Sequence, residues 1–229
     1  MRPSHGDTPI AVVLLSGGLD SCVTAAIARL SCEPAFLHVS YGQRTEERER
    51  RAFFDIARHY GVKRTLVARL DHLGAVGGSA LTDPSRDAVR ARGPVSTVPD
   101  TYVPFRNTQL LSMAVSWAEV LGARSVHIGA VQEDSSGYPD CREEYYAAFN
   151  RLVRLGTRPE THIEVTTPLL HLRKDEIVRE GLRLGAPFHL TWSCYTEQEA
   201  ACGRCESCLL RRKGFREAGA ADPLPYRPA

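Results

Sequence analysis

A parallel, doubly wound five-stranded α/β sheet is the architecture this sequence predicts. Three observations point to it. Apolar runs alternate with helical patterns in βαβα order, the signature of crossover-linked parallel strands. The first run, Ile10-Ala-Val-Val-Leu-Leu15, is continuously apolar, as in a strand covered on both faces. Marked segments follow the first, second and fourth strands, and ligands in such sheets bind at the carboxyl ends of the strands.

Each element follows from local pattern. After Leu15, Ser16-Gly-Gly-Leu-Asp-Ser21 leads into a helix reaching about Leu30. Ala35–Val39 is a second strand. Arg44–Tyr60 is a charged amphipathic helix stopped by Gly61. Its charges from Glu46 to Arg51 are read as a solvated or dimer-facing surface. Arg64–Leu70 is a third strand. Residues 71–104 lack periodicity and carry Gly74, Gly77, Gly78, Pro84, Gly93, Pro94 and Pro99, so they are expected to form a partly mobile flap beside the site. Thr108–Leu121 is a helix stopped by Gly122, and Ser125–Ala130 a fourth strand. Arg142–Leu155 is a helix, Ile163–Thr166 a fifth strand, and Lys174–Leu184 the last clear helix. A boundary is expected after residue 190, with an α/β domain over 1–190 and a cysteine-bearing segment over 191–229.

The composition excludes several function classes. The chain has 229 residues, 43% of them hydrophobic and 24% charged, which suits one globular domain with a small appendage. Lys plus Arg number 29 and Asp plus Glu 27, without the broad basic excess of a dedicated nucleic-acid binder. Aromatics at 7% are too sparse for a single-strand stacking surface. No apolar run approaches the roughly 18 residues of a membrane helix. Ile10–Leu15 is too short for a signal h-region and no A-x-A-like cleavage site follows, so a cytoplasmic location is expected.

The glycine turn is built for an anion. Gly17 and Gly18 open backbone conformations closed to other residues. Their N–H groups can then surround a phosphate, helped by the free N–H groups and positive end of the next helix, and the ATP-binding loop is taken as Leu15, Ser16, Gly17, Gly18, Leu19, Asp20 and Ser21. Ser16 and Ser21 add hydroxyls. Asp20 would repel a bare phosphate, so it is read as holding magnesium or orienting the loop. An ordinary strand-to-helix turn with polar caps is the plain alternative. The chain has neither G-x-x-x-x-G-K-[ST] nor G-x-G-x-x-G.

Seven cysteines include a cluster, Cys194-x7-Cys202-x2-Cys205-x2-Cys208. Four thiolates at these spacings can close a tetrahedron around zinc, and with every position filled by protein the metal would be structural. C-x2-C-x2-C also serves iron–sulfur clusters. Zinc is favoured because nothing else in the chain suggests redox work.

S-G-G-L-D-S after a hydrophobic strand resembles the pyrophosphate loop of the adenine-nucleotide alpha-hydrolase-like superfamily. Its members split ATP to AMP and pyrophosphate while adenylating a carbonyl or carboxylate oxygen. Further segments narrow the resemblance: Ser40-Tyr-Gly-Gln-Arg44, Tyr102-Val-Pro-Phe-Arg-Asn107, Ser136-Gly-Tyr-Pro-Asp-Cys-Arg142, Thr191-Trp-Ser-Cys-Tyr195 and the cysteine run. Together, from about Val12 to Tyr226, they resemble the 7-cyano-7-deazaguanine synthases of the queuosine and deazapurine pathway. That resemblance implies a homodimer acting on 7-carboxy-7-deazaguanine, ATP and ammonia. The carboxylate is adenylated and converted to the amide; the amide oxygen is adenylated in turn, and loss of AMP leaves the nitrile. A relative that stops at the amide, or uses another amine, is the alternative.

On this reading Asp20, Ser21 and Arg106 carry the chemistry. Asp134 and Asp140 accept hydrogen bonds from a guanine-like edge, Tyr138 stacks on the bicycle, Pro139 fixes the turn, and Arg106 clamps a carboxylate or phosphate. Asn107 either caps the next helix or meets substrate. Lys174 either meets a phosphate or is solvated. Cys141 is read as a small buried residue, and His38 and His189 as packing histidines. The family usually carries Gly where this chain has Phe105. A bulky residue at positive φ is an outlier, so Phe105 is expected at negative φ with its ring pointing away from the pocket.

Overall fold

The computed structural model describes residues 8–86, 88, 98–132 and 137–228. Its strands are β1 (Ile10–Leu14), β2 (Glu33–Ser40), β3 (Thr65–Arg69), β4 (Ser125–Ile128) and β5 (Glu164–Thr166). All neighbours run parallel, in the order β3-β2-β1-β4-β5. The helices are α1 (Leu19–Ala28), α2 (Glu46–Tyr60), α3 (His72–Val76), α4 (Arg106–Leu121), α5 (Glu143–Gly156), α6 (Lys174–Arg183) and α7 (Glu206–Glu217).

The continuous apolar run of β1 is explained by two covered faces. Val12 and Leu14 point to one side, where they pack with Leu111 and Ala114 of α4 and Phe149 and Val153 of α5. Val13 and Leu15 point to the other, against Cys22 and Ala25 of α1 and Phe53 and Ile56 of α2. Successive strand side chains alternate faces, so each face receives its own helices. The strand order reverses at β1, and the crevice beyond its carboxyl end is where such sheets take ligands.

Four sequence expectations need correction. Residues 206–217 form a helix that periodicity did not reveal. The reason is Arg211, whose side chain is 2% exposed and pairs with Asp222 at 2.9 Å. A cation on the inward face breaks the apolar stripe that marks a helix. α7 lies against α6, and its Phe215 joins the core containing Leu19, Val23 and Ile177.

The described part of 71–104 is packed rather than flap-like. Tyr41, Leu73, Leu81 and Val103 form a buried cluster. The Arg44 guanidinium donates to the Asp83 carbonyl at 2.7 Å and also to the Arg86 carbonyl. His189, expected inside, is exposed, whereas His38 is fully buried with Nδ1 against the Leu15 carbonyl at 3.2 Å. Burial holds the His38 imidazole below its usual range.

The fourth correction is Phe105. Its φ is 57°, the left-handed region, and among the described residues no other non-glycine has positive φ. Its ring does point outward, at 59% exposure. The chain enters α4 here, pinned on both sides. The Phe105 N–H donates to the Tyr102 hydroxyl at 2.9 Å, and the Asn107 N–H donates to Asp140 Oδ2 at 3.0 Å. Those bonds outweigh a local strain of roughly 1–2 kcal/mol. Phe105→Gly is expected to stabilise the fold by about 0.5–1 kcal/mol, strain relief exceeding the greater freedom of unfolded glycine. Urea denaturation of the two proteins measures it, and a less stable Gly variant would show the left-handed turn to be unstrained.

Candidate active site

A cavity of about 320 Å³ opens at the carboxyl ends of the central strands. Ser16, Gly18, Asp20 and Ser21 line one part of it, and Tyr41, Arg106, Asn107 and Tyr138 another. Residues far apart in sequence thus share one chamber.

The glycine turn is held from several directions. Gly17 has φ 94°, and a Cβ there would sit 2.6 Å from the Glu49 carbonyl oxygen and 2.9 Å from Ala52 Cβ. Its carbonyl accepts the Trp192 N–H at 2.8 Å, tying the loop to the cysteine-bearing segment. Gly18 is the residue before α1, and its N–H donates to Ser16 Oγ at 3.2 Å. Ser21 Oγ donates to the Gly18 carbonyl at 3.0 Å and lies 3.1 Å from Ser16 Oγ. Leu15 and Leu19 are buried and border the cavity, whereas Gly17 shapes the turn from outside the lining. Gly17→Ala is expected to cost at least about 2–3 kcal/mol, because both backbone strain and overpacking act against it. A denaturation midpoint equal to that of the unsubstituted chain would refute the close approach.

Asp20 is partnered across the fold. Lys174 Nζ, at the start of α6, donates to its two oxygens at 2.9 and 3.0 Å. The Lys174 side chain is 11% exposed, so it is not a solvated helix-start residue. Two glycines that the sequence reading missed make this possible. A Cβ on Gly129 would lie 2.9 Å from the Asp20 carbonyl carbon, and one on Gly214 would lie 2.5 Å from Lys174 Cγ. Their signal in the sequence is weak, because each is a single glycine inside or beside a regular element.

Opposite the loop, the Arg106 guanidinium donates to the Tyr41 hydroxyl at 3.0 Å. Burial opposes its charge, yet Tyr41, Tyr138 and Asp140 beside it hold the guanidinium above its usual range. The Tyr138 hydroxyl is 2.6 Å from Thr101 Oγ1, and its ring is tilted against Tyr102 with centroids 5.7 Å apart. Pro139 opens a short 3₁₀ turn, Pro139–Cys141. Asp140 and Pro139 do not line the cavity. Instead Asp140 caps α4 through the Asn107 N–H, while Asn107 Nδ2 donates to the Asp140 carbonyl at 2.9 Å. The cap of this helix therefore comes from a distant segment, and Asn107 is not itself the cap. Cys141 is buried beside Asn107. Asp134 lies outside the described residues.

A second polar group was missed. Gln43, Thr45 and Glu49 line the same cavity. Reading the early turns of α2 as a solvated surface hid Glu49, because its partners come from the loop after β2.

The four cysteines converge as their spacing requires. Their sulfurs lie within 4.8 Å of one another, and Cys202 and Cys208 are 4.0 Å apart at sulfur, too far for a disulfide. Four ligands about 2.3 Å from a tetrahedral ion would stand roughly 3.8 Å apart, so the set fits such a metal. The Cys202 N–H donates to Cys194 Sγ at 3.4 Å, and the Cys205 N–H to Cys202 Sγ at 3.3 Å. Donors aimed at sulfur suit thiolate ligands. Ala52, Trp192 and Leu224 pack around the cluster.

Residues 10–219 match the family described as Queuosine biosynthesis protein QueC. The chain belongs to this family. It is 55% identical over 217 residues to the 7-cyano-7-deazaguanine synthase of Chlorobium chlorochromatii, covering 94% of this chain and 95% of the relative. It is 56% identical over 220 residues to the synthase of that name from Acidobacterium capsulatum, covering 94% and 96%. Among solved structures, the U34-tRNA thiolase NcsA from Methanococcus maripaludis with its [4Fe-4S] cluster shares the fold. Its TM-score is 0.51 at 15% identity, over 92% of this chain and 68% of that one. No helix among the described residues is long and apolar enough to cross a membrane.

Proposed function

We propose that this chain converts 7-carboxy-7-deazaguanine and ammonia to 7-cyano-7-deazaguanine, consuming ATP in two adenylations and releasing AMP and pyrophosphate. The observation that carries the proposal is identity above one half, over nearly full length, to synthases of that name. The cavity supplies groups suited to the chemistry.

The turn from Leu15 to Ser21 cradles the departing pyrophosphate, with α1 aimed at it. Magnesium, which neutralises charge building on the phosphates, would be held by Asp20 together with those phosphates; one or two carboxylates are its usual protein share. Lys174, already beside Asp20, adds a second positive charge at that point. Arg106 orients the substrate carboxylate, and Tyr138 offers a flat face to the bicycle. Asp140 acts through α4, holding the Arg106–Asn107 turn in place. Asp134, in the same segment, supplies a carboxylate for the guanine-like edge. Zinc on Cys194, Cys202, Cys205 and Cys208, a closed set of ligands, anchors the segment whose Trp192 grips Gly17.

The test is the product mass from 7-carboxy-7-deazaguanine, ATP, magnesium and ammonium. Nitrile with two AMP per product is expected. Amide as the final product, or an adduct with another amine, would replace this proposal with the alternative acceptor chemistry. The outward Phe105 ring leaves the pocket its polar groups, so Phe105→Gly is expected to change the rate only modestly.

A further inference from the structure

Glu49 is a carboxylate in the cavity that the adenylation chemistry does not use. It lines the chamber with Arg106 and Tyr138. Thr45 Oγ1 donates to Glu49 Oε1 at 2.7 Å, and Gln43 Nε2 donates to Oε2 at 3.0 Å. Gln43 is itself locked, because its Oε1 accepts the Tyr41 N–H at 2.8 Å and the side chain is buried. Two buried groups thus aim one carboxylate. A carboxylate oxygen has two lone pairs, so each Glu49 oxygen keeps one beyond the bond it already accepts.

Resting on the function proposed above, we propose that Glu49 is the general base that takes protons from the reacting nitrogen. Ammonium has no lone pair with which to attack an acyl adenylate. One N–H bond breaks, its electrons stay on nitrogen, and the proton moves to Glu49. The nitrogen pair then forms the C–N bond as the C–O bond to AMP breaks, its electrons leaving on the phosphate oxygen. The extra proton on nitrogen departs by the same route, giving the amide. In the second half, the amide oxygen bonds to the α-phosphorus of ATP and pyrophosphate leaves. The two remaining N–H protons leave one after the other while the C–O bond to AMP breaks, and the electrons close the C≡N bond. Glu49 passes each proton to solvent before accepting the next.

The surroundings suit a base rather than a permanent ion. Burial pushes the Glu49 carboxyl up, while Thr45, Gln43 and Arg106 pull it down and Glu46 pushes it up again. The charged groups acting most on it include Arg106 from α4 and Glu46 from its own helix, and Glu49 in turn acts on Tyr41 from the loop after β2, with Arg44 and Tyr138 also lining the cavity. A base performs best when its pKa approaches the working pH.

Three readouts on the full-length chain test this. Acid-dependent pyrophosphate–ATP exchange reports adenylation, which needs no base on nitrogen. Hydroxylamine, largely unprotonated at neutral pH, traps the acyl adenylate as hydroxamate. Ammonium-dependent amide and nitrile formation needs the proton removed. Glu49→Gln is expected to retain exchange and hydroxamate formation while slowing the ammonium reaction about 10²–10⁴-fold. Thr45→Val removes a donor to the ionised carboxylate, so the acid limb of the ammonium-dependent rate should move to higher pH, with hydroxamate formation unshifted. Glu49→Asp should recover part of the lost rate. Exchange falling in step with the ammonium reaction would make Glu49 a structural group and overturn the inference. An unchanged ammonium rate, or an unmoved pH profile in Thr45→Val, would overturn it too. If the unsubstituted chain shows no exchange with the deazapurine acid, the proposed function fails first and this inference with it.

Discussion

Asp20→Asn is expected to abolish AMP and pyrophosphate formation while leaving the fold intact. Asn presents an oxygen of the same reach, so Lys174 Nζ, now 2.9 Å from Oδ1, keeps an acceptor in a place where it is 11% exposed. What disappears is the negative charge. On the proposed mechanism, magnesium would then lack its protein ligand beside the phosphates, and charge on the leaving pyrophosphate would be met by Lys174 and the loop alone. Loss of one preorganised electrostatic partner in a water-poor site slows turnover by on the order of 10²–10³-fold, and a metal ligand costs more. Nucleotide analysis of the unsubstituted chain should show AMP, and the variant should show almost none. Stoichiometric ADP would contradict pyrophosphate-loop chemistry, and an active variant would remove Asp20 from the mechanism. Asp20→Ala is the harsher test, because it also takes away the hydrogen-bond acceptor that Asn still offers the uncompensated Lys174 charge.

Cys208→Ser is expected to release the metal and, with it, both the C-terminal fold and the activity. The unsubstituted chain should carry about one zinc, and each of Cys194, Cys202, Cys205 and Cys208 should be required for it. Structural zinc contributes about 10–16 kcal/mol in small domains, comparable to or larger than the net stability of an ordinary domain. The loss would spread by a defined route. Trp192 sits in the cysteine cluster, donates through Nε1 to the Glu197 carbonyl, and through its backbone holds Gly17. Loosening that segment frees the Gly17–Gly18 turn. Chelation should therefore expose amides around 191–205 before those of β1 and β2, as hydrogen exchange can follow. Elemental analysis finding iron and sulfide in place of zinc would overturn the assignment. Full activity in a metal-free chain would cut the link between the cluster and the loop.

Much of this protein was legible from local pattern. The run Ile10–Leu15 is a strand because both its faces are covered, and the order of apolar runs predicted five parallel strands. Gly17 and Gly18 announced a tight turn and the cysteine spacing a convergent ligand set, and both are found, because each depends on short-range backbone freedom and spacing. Tertiary structure alone decided the rest. Asp20 and Lys174 are 154 positions apart, and no periodicity links them. Asp140 reaches across from another segment to cap α4, and that pin helps hold Phe105 in a backbone region that steric rules disfavour. Helix α7 and the inward-facing Glu49 of α2 escaped notice for one reason. Arg211 and Glu49 turn inward at positions where a lone charge would be costly, and each is satisfied by groups outside its own helix, Asp222 for one and Gln43 with Thr45 for the other. Apolar periodicity records what a segment can bury unaided; a buried charge depends on partners that only the folded chain brings to it.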